Sequence, residues 1–183
     1  QQSMDHPAAD FAKQVMQVVL AGTGVQLSDG ATNVMPVAPH RTAPGGPPLT
    51  QEQQLKNRAA VQRAWQLHFD DVRSSLRNGF YQGWDLHPAQ LPTRYAAVYS
   101  FFLEGLETAS LRLRSFMERA AQATLVGDIF DDAATGQGLL NYFLRGTGCG
   151  AITEDEARAT GLTLGELQTR SFLKVLQARR VSR

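Results

Sequence analysis

Gly79-Phe80-Tyr81-Gln82-Gly83-Trp84-Asp85-Leu86-His87-Pro88-Ala89-Gln90 is the stretch on which the fold turns. It is aromatic-rich and turn-bounded, so Phe80 to Leu86 read as a strand. His87-Pro88 ends it, because the residue before a proline is pushed toward extended backbone. Upstream, Val25-Gln26-Leu27-Ser28-Asp29-Gly30 alternates and reads as an earlier buried strand, with Asn33 to Val37 as its continuation or exit loop. Strand, helix, strand in that order predicts parallel pairing with a right-handed crossover. Two parallel strands cannot bury themselves; such sheets need more strands and helices on both faces. The pattern therefore predicts the C-terminal part of a larger α/β protein.

Helical patterns surround these segments. Phe11, Val15, Val18 and Val19 recur at helical spacing, with Asp5 as cap, Pro7 in the first turn and Gly22 and Gly24 as the stop. His40 to Leu49 hold Pro44, Gly45, Gly46, Pro47 and Pro48, which predicts an exposed loop. Thr50 and Gln53 form a capping box that opens a helix from about Gln51 to Asn78, halted at Gly79. Its apolar face reads Leu55, Ala59, Trp65, Phe69, Val72, Leu76, opposite Lys56, Arg63, Asp70 and Arg77. Pro92 or Thr93 opens another long helix to about Ala120, lined on one side by Tyr95, Val98, Phe102, Leu106, Leu113 and Phe116. Shorter helices are predicted from near Asp132 to Gly146, from Thr153 and from Thr163, the last running to about Arg180; Glu156 and Glu166 complete capping boxes for the latter two.

Composition bounds the function. The chain has 183 residues, 43% of them hydrophobic and 19% charged, the size and apolar content of one domain or a large piece of one. Its 18 basic and 17 acidic side chains remove the bulk electrostatic argument for a nucleic-acid partner. One cysteine, Cys149, excludes an internal disulfide framework and a Cys-rich zinc site. The longest apolar run, Val15 to Ala21, is interrupted by Gln17 and far too short to span a bilayer, so no membrane partner is expected. No signal peptide is visible, and a cytoplasmic location is expected. A chain that opens on Gln1 rather than Met is expected to be a processed or truncated product.

The chemistry-bearing candidates cluster at the ends of the two strand-like segments. Asp85 and His87 stand two apart and share one side of a strand end, the position that holds substrates in α/β barrels. The plain alternative, which composition alone favours, is a packing and turn motif with His87 satisfied by backbone groups. Ser28, Asp29 and Asn33 close the earlier segment in the same way, and Asp29-Gly30 is also a good turn. Gly127-Asp128-Ile129-Phe130-Asp131-Asp132 is the other candidate, with N-capping as its alternative. His6, His40 and His68 show no convincing ligand spacing, and no G-x-S-x-G elbow occurs.

The run Gly79 to Gln90, with its His87-Pro88-Ala89-Gln90 turn, resembles the last barrel strand of the citrate lyase β-subunit / HpcH–HpaI aldolase family of the phosphoenolpyruvate/pyruvate superfamily. Gly127 to Asp132 resembles that family's glycine-x-apolar-apolar-Asp motif, and Met4 to Asn33 looks like a divergent, aldolase-like branch. The resemblance implies the C-terminal portion of a TIM (β/α)8 barrel, its last two strands and helices over residues 1–120, followed by a helical extension over 121–183. It implies reversible carbon–carbon cleavage through an enolate, on an oxo acid or an acyl-CoA thioester, with Mg²⁺ stabilising the negative charge that develops on oxygen. The metal ligands of that family lie on earlier strands and are not in this chain, so the chain alone is expected to be inactive. Asp131, with Asp132 beside it, matches the acid that enters a neighbouring subunit's site for acid–base catalysis, which implies a homo-oligomer. Asp85, His87, Asp29 and Asn33 match substrate-positioning places at the barrel mouth. A non-enzymatic helical interaction module, with the proline-rich loop and long helices as docking surfaces, is the competing reading; a decayed relative is a third.

Overall fold

The computed structural model describes residues 4–81, 83–126 and 133–181. The α-helices among them are α1 (Pro7–Val19), α2 (Gln51–Arg77), α3 (Leu91–Val126), α4 (Ala133–Gly148), α5 (Glu154–Arg158), α6 (Leu164–Gln168) and α7 (Phe172–Val181), with one 3₁₀ turn at Pro88–Gln90. No strand occurs among the described residues, only an isolated bridge at Ser28. The expected TIM-barrel portion, with strands at Val25–Gly30 and Phe80–Leu86, is therefore overturned: the chain is a helical protein.

The physical reason lies in where the extended segments send their hydrogen bonds. A strand needs a neighbouring ladder to satisfy alternate N–H and C=O groups. Here side chains do that work. The Gln90 amide oxygen accepts from the backbone N–H groups of Leu86 (2.8 Å) and His87 (3.1 Å), and its amide nitrogen donates to the Thr32 carbonyl (3.0 Å). The Trp84 carbonyl accepts from Arg94 Nη2 at 3.2 Å. Asp29 and Thr32 in turn bond to Ser75 and Asp71 on α2. Both segments are strapped to helices, and the aromatic richness of Phe80 to Trp84 gives Phe80, which is buried, together with an exposed Trp84.

The chain forms two compact units, Gln1–Val98 and Tyr99–Arg183, the boundary falling within α3. In the first, α1 is capped by His6, whose Nδ1 accepts from the Ala8 N–H, rather than by Asp5. The apolar residues of α1 remain uncovered: Phe11 is 69% exposed and Val18 77%. On α2 the Thr50/Gln53 box is present and the helix ends at Arg77, with Asn78 as C-cap and Gly79 at φ +83°. The buried stripe is displaced from the expected face. Leu55 and Trp65 are exposed, and the stripe is Ala64, His68, Asp71, Val72, Ser75 and Leu76. Three of those six are polar, so this face is built around a hydrogen-bond network. Asn57 anchors the start of the exposed proline-rich loop, its side chain pairing both backbone groups of His40.

In the second unit α4 packs on α5, α6 and α7. Phe102, Leu113, Leu140, Phe143, Leu162, Phe172 and Val175 make its core. The Phe116 and Phe172 rings meet at 5.4 Å, and Phe102, Tyr142 and Phe143 stack edgewise and tilted at 5.1–5.3 Å. Such pairs need close approach, which Gly136 permits: a Cβ there would lie 2.5 Å from Phe172 and 2.8 Å from Phe116. Both expected capping boxes, Thr153/Glu156 and Thr163/Glu166, are formed. The single helix expected from Thr163 to Arg180 is two, broken where Arg170 adopts φ +54°. Arg179 of α7 returns to pair with Glu166 of α6 and donates to the Gly161 carbonyl at 2.6 Å.

Candidate functional site

The first unit contains a cavity of about 340 Å³ lined by Val72, Ser75 and Leu76 of α2, by Phe80, Tyr81, Gly83 and Asp85 of the extended segment, and by Arg94 and Val98 of α3. Its chemistry starts from helix periodicity. Val72, Ser75 and Leu76 share the inner face of α2 with His68 and Asp71, at spacings of three, four and seven. The first turn of α3 sets Thr93 and Arg94 opposite them.

His68 is fully buried and both its ring nitrogens are engaged. Nε2 lies 2.9 Å from Asp85 Oδ1 and Nδ1 lies 2.7 Å from the Thr93 hydroxyl. Burial first, and then the positive charge of Arg94, hold the imidazole below its ordinary pKa against the opposing pull of Asp85. Nε2–H is placed to donate to the Asp85 carboxylate, while Nδ1 meets the Thr93 hydroxyl, which itself donates to the Gln90 carbonyl at 2.9 Å. With no free nitrogen and no exposed surface, His68 cannot exchange protons with a ligand. It orients Asp85.

Asp85 in turn braces Arg94. The guanidinium donates from Nη2 to Oδ1 at 2.8 Å and from Nε to Oδ1 and Oδ2 at 3.0 and 3.2 Å. Burial works to raise the Asp85 pKa, but the hydrogen bonds and charge of Arg94, aided by His68, hold it below the usual carboxylate range. Asp85 is a fixed anion, unsuited to donate a proton near neutrality. Arginine carries five N–H groups. Asp85 and the Trp84 carbonyl take three, and the two on Nη1 have no partner among the described residues. Gly83 makes room for this head group: a Cβ there would lie 2.5 Å from Nη1.

Beside the cavity sits a second polar group. Ser75 donates to Asp29 Oδ2 at 2.6 Å, and Thr32 donates to Asp71 Oδ2 at 2.7 Å. Burial raises the Asp71 pKa, opposed by the Thr32 hydrogen bond. Asp29 Oδ1 is buried without a partner among the described residues.

Of the residues singled out in the sequence, Asp85 lines the cavity and Asp29 touches it only through Ser75. His87 caps the 3₁₀ turn, its Nδ1 accepting from the Ala89 N–H at 3.1 Å, which is the turn role rather than ligand contact. Asn33 is exposed. Asp131 and Asp132 lie outside the described residues. His68, Gly83 and Arg94 were not singled out as a site. The readable signal was the intrusion of His68, Asp71 and Ser75 into the face carried by Val72 and Leu76; the partner arginine had none.

Residues 1–175 match the family model described as Domain of unknown function (DUF6986). The chain belongs to the DUF6986 family. No curated protein and no solved structure matches it. Among its described residues no helix is long and apolar enough to cross a membrane, and no group of three or more His, Cys, Asp or Glu side chains is placed to hold a metal ion.

Proposed function

We propose that the cavity of the first unit binds the carboxylate end of an oxo acid, in the service of an aldolase or carbon–carbon lyase reaction of the kind the family resemblance implies. The observation that carries the binding step is the pair of unengaged N–H groups on Arg94 Nη1, in a side chain that Asp85 and the Trp84 carbonyl hold still. A guanidinium fixed before binding loses little freedom when a carboxylate arrives. The cavity is concave and brings the Arg94, Asp85 and Ser75 polar groups together beside apolar side chains. In that reaction the resemblance gives Asp131 the acid–base role.

The Mg²⁺ of such a reaction does not fit the described residues. Asp85 is taken up by Arg94 and His68, and Asp29 and Asp71 are bound to the Ser75 and Thr32 hydroxyls without a third ligand. Carboxylates already engaged as acceptors by hydroxyl donors fall short of the octahedral oxygen set this ion demands.

The test is titration of the chain with pyruvate and longer 2-oxo acids, followed by calorimetry and by ligand-observed NMR. Saturable millimolar or tighter binding that Arg94→Met weakens at least tenfold, with the helical circular dichroism retained, supports the reading. Absence of binding by every oxo acid overturns it.

A second reading, a helical interaction module, has its own observation in the uncovered stripe Phe11, Val15, Val18 and Val19 of α1. Exposed apolar patches of this kind mark contact surfaces. It predicts that Val18→Asp leaves folding intact and abolishes any self-association seen by analytical ultracentrifugation.

A further inference from the structure

Helix α1 carries its apolar half outward. Asp10, Lys13, Met16 and Gln17 occupy the covered side, and Lys13 is only 7% exposed. Lys13 Nζ donates to the Met4 carbonyl at 2.9 Å and pairs with Asp10 at 2.7 Å, and Gln17 Nε2 donates to the Asn78 carbonyl at 2.7 Å. The other side, Ala8, Phe11, Ala12, Val15, Val18 and Val19, is exposed, and with Gln14 it bears no charge. A surface helix ordinarily turns its apolar stripe to the core and its polar stripe to water. Here polar side chains tie the helix down, and the hydrophobic effect still favours a cover for the stripe. Ala8, Phe11, Val15 and Val18 follow the three-four-three spacing of a seam between two helices. Both charges of the helix, Asp10 and Lys13, are engaged with each other. The stripe therefore meets no like charge when it faces a copy of itself, and it offers no Lys or Arg to anionic lipid. Its four large side chains expose roughly 400 Å², and with the smaller ones two facing helices would bury on the order of 1,000 Å² in total, the size of a reversible association rather than a permanent one.

We infer that α1 pairs antiparallel with α1 of a second copy of this chain, about a two-fold axis beside Val15, and that this pairing makes a reversible dimer. The inference rests on the reading of the stripe as a contact surface and names its occupant. The antiparallel sense sets Phe11 against Val18 of the partner subunit, large against small, and opposes the two helix dipoles. A parallel pair would instead stack Phe11 on its own counterpart.

The experiment is sedimentation velocity of the full chain from low micromolar to several hundred micromolar. A concentration-dependent dimer is expected, with Val18→Asp monomeric throughout and its helical circular dichroism unchanged. Phe11→Ser, also on the exposed side, is the second variant should Val18→Asp fail to fold. In a Cys149→Ser background, which removes the exposed native thiol, Val15→Cys is expected to give a disulfide-linked dimer with copper phenanthroline and Ala8→Cys to give none. A chain monomeric at every concentration, a dimer that survives both Val18→Asp and Phe11→Ser, or efficient linkage through Ala8→Cys would each overturn the inference. So would a monomer that floats with phosphatidylserine vesicles, which assigns the stripe to lipid. Hydroxyl-radical footprinting of the dilute monomer separates this failure from that of the reading beneath it. Labelling of Phe11 and Val18 leaves the stripe a contact surface for some other partner; protection of both in the monomer overturns the contact-surface reading as well.

Discussion

Gly83→Ala is the sharpest probe of the braced arginine. The backbone at Gly83 is outside the left-handed region, so alanine is conformationally acceptable and only space is at issue. An added Cβ would lie 2.5 Å from Nη1, 2.8 Å from Nη2 and 2.9 Å from Cζ of Arg94, where ordinary contact begins at 3.4 Å. The guanidinium must retreat by about 1 Å, and the bonds to Asp85, now 2.8–3.2 Å, stretch toward the edge of hydrogen-bonding range. Hydrogen bonds to charged groups are worth about 1.5–3 kcal/mol. The arginine and aspartate side chains are 21% and 18% exposed, so we take about 2 kcal/mol for the fork. Replacing glycine in a loop returns about 0.4–1 kcal/mol through the unfolded chain. The net expectation is destabilisation by about 1–1.5 kcal/mol, read by urea denaturation at pH 7, with oxo-acid affinity falling at least tenfold. In an Arg94→Met background the same substitution should be neutral or stabilising, since its steric partner has gone. A variant as stable as the parent and equally able to bind, or one whose cost persists without Arg94, would show that Gly83 does not make room for the guanidinium.

Three further outcomes follow from other parts of the chain. On α4, Gly136→Ala should destabilise by about 2 kcal/mol or more, because Phe172 and Phe116 leave no room, whereas Gly138→Ala, with nothing within 4 Å, should stabilise by up to about 1 kcal/mol; thermal unfolding of the pair checks this. Glu166 has its pKa lowered from 4.5 to about 2, first by the hydrogen bond from Arg179 and, against burial, by the Thr163 cap. A carboxylate with a depressed folded pKa adds stability above its unfolded value that disappears as pH falls through the folded one. At full strength this shift is worth about 3 kcal/mol, and the 40% exposed Arg179 head reduces it to about 1–2 kcal/mol. The stability gap between the parent and Glu166→Gln should therefore shrink between pH 4.5 and about 2, and a gap independent of pH in denaturant titrations would count against the pair. His68→Phe keeps a ring and removes both polar contacts; it should cost about 2–3 kcal/mol in urea denaturation and weaken oxo-acid binding less than Arg94→Met does.

Local chemistry was legible where it is settled within a few residues. Thr50/Gln53, Thr153/Glu156 and Thr163/Glu166 read as capping boxes and form them, because each satisfies its own helix's orphan N–H groups without outside help. The end of α2 before Gly79 and the turn role considered for His87 belong to the same class. The break at Arg170 was not legible, since no glycine or proline marks it.

Sequence alone was therefore enough for the existence of the long helices, for the three capping boxes and for naming Asp85 as a candidate, whereas the division into α6 and α7 and the His6 cap of α1 were not readable there. The state of Val25–Gly30 and Phe80–Leu86 was decided only by tertiary structure. An extended segment becomes a strand only if another backbone lies alongside it, and here Gln90, Arg94, Asp71 and Ser75 meet those segments with side chains instead. The site obeys the same rule. His68, Asp85 and Arg94 are separated by 17 and 9 residues, and no helical period or strand alternation links them. Only packing brings a buried imidazole, a fixed carboxylate and a guanidinium with two unengaged N–H groups to one cavity.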